Sequence, residues 1–242
     1  MNFQATDFEF RQRFWIIGGI IWLAFTCYSF DHMNAAVGLA QAILGRGTSP
    51  DSSEIGRCAM IILAAGTGIV AVGALIRSWA EAYLHSSVVH DMDLHSEHLV
   101  ADGPYRHLRN PLYFGNILLV AGFGLMASRI GYIIMAVGMF VFCCRLILRE
   151  EAGLLVSQGE SYRRYFEAVP RLLPSLRPRV PAGTAKPNWR DGFAGETFMW
   201  GIVAGMAVFV ATERIVYFWV MVGVGFAVYF VQGFLREKRD KK

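Results

Sequence analysis

Charge is scarce in this chain. Asp, Glu, Lys and Arg make up 17% of its 242 residues while 55% are hydrophobic, against about 25% charged in an ordinary soluble domain. Cysteine is scarce too: Cys27, Cys58, Cys143 and Cys144 lie in or beside apolar stretches and none forms a C-x-x-C pair. That spacing excludes a thiolate metal site or a disulfide framework and leaves small buried side chains. The histidine boxes of membrane diiron enzymes are missing; His85, His90, His95, His98 and His107 crowd one polar segment with Asp91 and Asp93, and only His95 and His98 have a ligand-like spacing. A solvated loop without metal is expected there. No basic face with interleaved aromatics exists, so the formal charge of +4 reads as a topology signal and not as nucleic-acid binding. Gly66-Thr-Gly68 with Gly73 has the look of a phosphate loop but lies inside an apolar helix, where small residues serve close packing. The first apolar run lacks a small-residue cleavage site and is expected to be an anchor helix. No internal repeat is visible.

What the chain has in abundance is uninterrupted apolar sequence. Runs fall at about 14–30, 58–76, 112–127, 130–148, 197–212 and 214–235. A full span needs roughly 20 residues, so the third and fifth runs are short. The expected fold is all-α: a multipass transmembrane helical protein of about six spans, with the third and fourth runs forming a hairpin. The 31–57 connection is expected to hold an interfacial helix over Ala35–Leu44, and 77–98 to extend the second span. Residues 149–168 are expected to form an amphipathic helix ended by Pro170. The organisation that follows is 1–98 for the N-terminal spans and extension, 99–176 for a catalytic region, 177–196 for a linker, and 197–242 for a C-terminal helix pair with a basic tail. Eight lysines and arginines lie in 149–196 and five in the C-terminal tail. Arg46, Arg57, Arg129 and Arg214 alone fall on the other side. The positive-inside rule then predicts that both termini and the polar motifs are cytoplasmic.

Two motifs bracket the hairpin. The first is Gly103-Pro-Tyr-Arg-His-Leu-Arg-Asn-Pro-Leu-Tyr-Phe-Gly115. The second is Arg149-Glu-Glu-Ala-Gly-Leu154, continued by Tyr162, Tyr165 and Val169-Pro-Arg-Leu-Leu-Pro174. Both concentrate cations, carboxylates and tyrosines at the ends of apolar helices, where ionisable groups are usually paired or functional. Glu150 and Glu151 are expected to face Arg106 and Arg109 across a short gap, as two walls of one enzyme site. Arg145, one turn earlier, reads as a snorkelling side chain.

These motifs resemble those of the isoprenylcysteine carboxyl methyltransferases and their relatives, the integral-membrane phospholipid methyltransferases. The resemblance rests on Gly103, Pro104, Tyr105, Arg109, Pro111, Tyr113 and Gly115, then Glu150, Glu151, Leu154, Gly159, Tyr162, Tyr165, Val169, Pro170, Arg171 and Pro174, and covers about 98–175. Asn110 stands where those families usually carry histidine and Gln158 where they carry phenylalanine. The resemblance implies S-adenosylmethionine as cofactor and methyl transfer to a lipid-like acceptor, either a prenyl-cysteine-type carboxylate or a phospholipid amine. Membrane lipids would then be its partners, with no metal and no nucleic acid. It implies cofactor contacts from Tyr105, Arg109, Asn110, Pro111, Tyr113, Glu150 and Tyr165, and catalytic roles for Glu151, Arg171 and Asn110. Arg109 suits the cofactor carboxylate, and Glu150 or Glu151 its ammonium or ribose hydroxyls. Arg171 suits an acceptor carboxylate or phosphate, or a pairing with Glu151. The alternatives are an NADPH-dependent reductase of a sterol-like lipid, whose relatives share a related C-terminal region, and a non-enzymatic membrane scaffold.

Overall fold

The computed structural model describes residues 3–45, 49, 52–90 and 101–240, with 85–90 and 235–240 described by backbone alone. All described regular structure is helical. The chain order is α1 (Asp7–Arg11), α2 (Arg13–Thr26), α3 (Ala35–Leu44), α4 (Ser53–His90), α5 (Pro111–Phe123), α6 (Arg129–Ala168), α7 (Trp189–Gly195), α8 (Thr197–Thr212) and α9 (Ile215–Asp240). Each of the six apolar runs is helical. By length and composition, three helices among the described residues can cross a membrane: Ser53–Leu84, Arg129–Ala168 and Ile215–Phe234. A fourth span exists if α7 and α8, bent by 65°, count as one. Arg13–Ser29 and Pro111–Met126 are shorter apolar helices. The first run therefore joins the third as a short one, and the fifth is half of a bent pair.

Two long helices carry the frame. The second run and its expected extension form one continuous helix, α4. The fourth run and the amphipathic segment likewise form one helix, α6, broken only at Gly159, whose φ of 56° and ψ of −126° suit a residue without Cβ. Ser128 caps the start of α6 by accepting from the Gly131 amide. The expected interfacial helix is α3, capped by Asn34. Part of the segment expected as a linker is also helical. Asn188 caps α7, Trp189 and Phe193 lie against one another and on towards Trp200, and Gly192 sits on the backbone of Ser78. That glycine contact and aromatic packing order a stretch whose prolines had suggested a free connection.

Close helix approach holds the core together. A Cβ on Gly122 would lie 2.2 Å from the Gly66 carbonyl oxygen, and one on Gly73 would lie 2.9 Å from that of Gly115. Gly66 and Gly73 thus do the packing expected of them on the α4–α5 seam, whereas Gly68 faces open space. Van der Waals contact of this kind substitutes for a hydrophobic driving force between helices in lipid. Gly201 and Gly225 make an equivalent seam between α8 and α9. At the end remote from the motifs, Asp31 accepts from both Arg129 and the Ile130 amide and ties the α2–α3 turn to the start of α6. The Arg129 guanidinium and that amide hold the Asp31 carboxyl below its ordinary pKa.

Candidate active site

The two motifs meet at the ends of α4, α5 and α6. Pro111, at the first position of α5, starts the helix with φ already fixed and no amide to satisfy. Before it, Gly103 takes a φ of +58° and packs against the Tyr83 ring, turning the chain into a 3-10 turn over Gly103–Arg106. This turn buries Tyr105 beneath the second motif, and Tyr165 donates its hydroxyl to the Tyr105 carbonyl at 2.9 Å. Burial first, and the nearby Glu81 carboxylate second, push the Tyr105 phenol well above its usual pKa, so it stays protonated at any working pH.

Glu151 is the node. It is 3% exposed and receives Arg109 Nε at 2.9 Å and Asn110 Nδ2 at 3.0 Å on one oxygen, and Arg171 Nε at 2.8 Å on the other. The Arg109 side chain, 7% exposed, also donates to the Phe166 and Val169 carbonyls and stacks its guanidinium over the Phe166 ring at 4.0 Å. Its amide donates to the Pro170 carbonyl, and Asn110 Nδ2 reaches the Arg171 carbonyl at 3.0 Å. Arg109 therefore spends its Nε and Nη1 donors on the protein itself. Arg171 is different: its side chain remains 45% exposed beyond its contact with Glu151.

Glu150, the neighbouring carboxylate, points another way and accepts from the Tyr113 hydroxyl at 2.7 Å. Of the two carboxylates expected to face Arg106 and Arg109, Glu151 contacts Arg109, whereas Glu150 contacts Tyr113. Adjacent helical positions point about 100° apart, so the two carboxylates cannot share one partner. Arg106, expected in the same patch, turns outward to donate to the Val180 carbonyl. His107 places Nδ1 2.8 Å from the Ser175 carbonyl oxygen. The side chains of His85, His90, His95, His98, Asp91 and Asp93 lie outside the described residues. Among those described, no three His, Cys, Asp or Glu side chains are grouped to hold a metal.

Two supporting contacts escaped the sequence reading. Arg77, counted there only as a topology charge, forms a paired contact with both oxygens of Glu196 at 2.7 and 2.8 Å. It also donates to the Leu112 carbonyl and to Asn116 on α5. It braces the first turn of α5 from behind and joins the break between α7 and α8 to the motif. A lone arginine inside an apolar helix is the signal that pointed to it. The second is an N-terminal clasp: Arg145 pairs with Glu9 and Arg149 with Asp7, while the Ala5 amide donates to the Arg145 carbonyl. Arg145, expected only to snorkel, has a carboxylate partner. It holds α1 against α6 one turn before Glu150.

Two polar motifs thus fold onto one carboxylate at one end of an all-α frame. Residues 61–157 match the family model for phospholipid methyltransferase, the same integral-membrane methyltransferase family as the isoprenylcysteine carboxyl methyltransferases. The match holds all of the first motif together with Glu150 and Glu151. Tyr165, Arg171 and the helices α7 to α9 lie beyond it. No curated protein and no solved structure matches the chain.

Proposed function

We propose that this chain is an S-adenosylmethionine-dependent methyltransferase that modifies a lipid-like acceptor, a prenyl-cysteine-type carboxylate or a phospholipid amine, on the cytoplasmic side of its membrane. The observation that carries this reading is the convergence of Arg109, Asn110 and Arg171 on buried Glu151, which joins the methyltransferase-like region 61–157 to the part of the second motif beyond it in one polar site. The lysine and arginine distribution supports the cytoplasmic side.

The residues present suit such a cofactor. S-adenosylmethionine supplies an electrophilic methyl group on a sulfonium, together with an ammonium, a carboxylate, a ribose and an adenine. Glu150 is a half-buried carboxylate with one oxygen oriented by Tyr113, and it serves the ammonium or the ribose hydroxyls. The part-exposed Tyr113 ring gives an aromatic face for the adenine or the sulfonium, whereas Tyr105 and Pro111 are buried and back that face from within. Tyr165, through the Tyr105 carbonyl, and Arg109, through Glu151, act as positioning residues for that wall.

On the acceptor side, Arg171 keeps exposed donors for a carboxylate or phosphate while Glu151 fixes its direction. Methyl transfer requires in-line alignment of nucleophile, methyl carbon and sulfur more than proton transfer. Asn110 fits that demand, since it orients Glu151 and the Arg171 backbone by hydrogen bonds and carries no proton to exchange. A carboxylate acceptor arrives already ionised. An amine acceptor gives its proton to water or to Glu150, because Glu151 is occupied by three donors.

Calorimetry of the detergent-purified chain with S-adenosylhomocysteine and with NADPH tests the reading. Binding of S-adenosylhomocysteine alone is expected. Binding of NADPH alone would make the protein a reductase of sterol-like lipids, and binding of neither would make it a scaffold.

A further inference from the structure

After leaving α6 at Val169, the chain runs on as a bent, irregular strap. Its inward side is pinned to the first motif along its length. The Ser175 amide donates to the His107 carbonyl at 2.9 Å, His107 Nδ1 meets the Ser175 carbonyl, the Arg179 amide donates to the Arg106 carbonyl at 2.8 Å, and Arg106 Nε donates to Val180. Val169 is 1% exposed in a small cluster with Tyr162 and Tyr165, and Val180 packs on the same cluster. With these positions fixed, the strap cannot roll; Leu172 stays half-buried, while Leu173 and Leu176 face outward. Leu173 is 77% exposed and Leu176 is 100% exposed.

The setting of those leucines is cationic. From Arg171 to Lys186 the chain carries Arg171, Arg177, Arg179 and Lys186 and no acidic residue. The adjoining turn of α6 adds exposed Arg163 and Arg164, the latter paired with Glu160 at 3.6 Å, and exposed Glu167. Asp102, which lies under the strap, is occupied by the Gly183 and Ala185 amides. The strap also lies close to the apolar part of the frame: its partner His107 stands four residues before Pro111, the start of apolar α5, so at most about 14 Å of chain separates them.

We propose that the 171–180 strap is a lipid-surface anchor that inserts Leu173 and Leu176 among the headgroups of an anionic leaflet, with Arg177 and its neighbouring cations on the phosphates. Outward leucines held rigidly between cations, with no acid among them, fit a surface that is apolar below and negative above. A soluble partner would have to cover the leucines with an apolar patch while also meeting the cations. Burying one fully exposed leucine is worth roughly tenfold or more in local affinity, and each basic residue near an anionic surface about fivefold. The inference stands apart from the methyltransferase reading, because it concerns how the strap meets the membrane and not what is bound beside Glu151.

The test uses the full chain in nanodiscs, with Leu176→p-benzoylphenylalanine as a photo-crosslinker and Leu173→p-benzoylphenylalanine as a second site. Illumination in phosphatidylglycerol discs should give lipid adducts from both positions, detected by mass spectrometry of the strap peptide. Arg177→Glu should lower the yield about fivefold or more in those discs and much less in phosphatidylcholine discs. Adducts to a second copy of the chain would mean a protein-docking surface and overturn the proposal. Absence of adducts at both positions would mean a strap facing water and overturn it equally. Equal yields in the two lipids, unaffected by Arg177→Glu, would remove the anionic selectivity.

Discussion

Replacing Glu151 with glutamine should damage this protein more than any other single isosteric change in the motifs. The substitution keeps the shape but removes the charge that holds two guanidinium groups. Arg109, with a side chain 7% exposed, would be left as a buried cation without its carboxylate, and removing one partner of a buried pair costs about 3–5 kcal/mol. The Arg171 contact adds little, since its side chain is 45% exposed and partly exposed pairs are worth only about 0–1 kcal/mol. For a chain of this size, a loss of about 3–5 kcal/mol lowers the melting temperature by roughly 6–20 °C. Thermal unfolding of the detergent-solubilised protein, followed by tryptophan fluorescence, would measure it. The decisive comparison is the double variant Arg109→Met with Glu151→Gln, which removes the orphaned cation along with its partner. It should recover a large share of the loss, giving a coupling of about 1–3 kcal/mol in a double-mutant cycle. A Tm fall of less than about 2 °C in Glu151→Gln, or strictly additive effects in the cycle, would refute the idea that this carboxylate clamps the two motifs together. Unchanged stability with lost S-adenosylhomocysteine affinity would instead make Glu151 a ligand contact.

Three further outcomes follow from particular contacts. Arg77→Met should cost about 3–5 kcal/mol, because Glu196 is 4% exposed and would lose both guanidinium contacts; Tm and S-adenosylhomocysteine affinity should fall together, since α5 loses its brace. Gly122→Ala should fail to accumulate as folded protein, with its Cβ 2.2 Å from the Gly66 carbonyl oxygen, whereas Gly68→Ala should be neutral or stabilise by up to about 0.5–1 kcal/mol; size-exclusion profiles and Tm separate the two. The N-terminal clasp should be acid-labile: Arg145 and the Thr6 amide depress the Glu9 carboxyl from 4.5 to about 2, so its stabilising contribution is complete above pH 4.5 and fades as pH falls towards 2. A spin label at Phe3 should therefore become mobile over that window, and Glu9→Gln should already be mobile at neutral pH; a label immobile at pH 2 would show that the apolar contacts of Phe10 suffice.

The sequence by itself determined the material of this protein. Scarce charge and six apolar runs imply helices in a membrane, because only a backbone bonded within its own segment is stable in lipid. The glycines on one seam, the proline that begins α5 and the motif residues flanking the hairpin were legible for the same local reason: each acts on its immediate neighbours. What the sequence left open was every choice between near-equivalent partners. Glu150 and Glu151 are identical side chains in adjacent positions, and only the rotation of α6 against the first motif gives Arg109 and Arg171 to one and Tyr113 to the other. Arg77 and Glu196 lie 119 residues apart, and Arg145 and Glu9 lie 136 apart; no spacing rule joins them. Continuity of α4 and α6 through their polar ends, and the helix in the expected linker, likewise depend on surfaces that distant segments present. Local composition fixes what each segment can be, whereas pairing among charges is decided by which side-chain atoms the packed frame brings within 3 Å of one another.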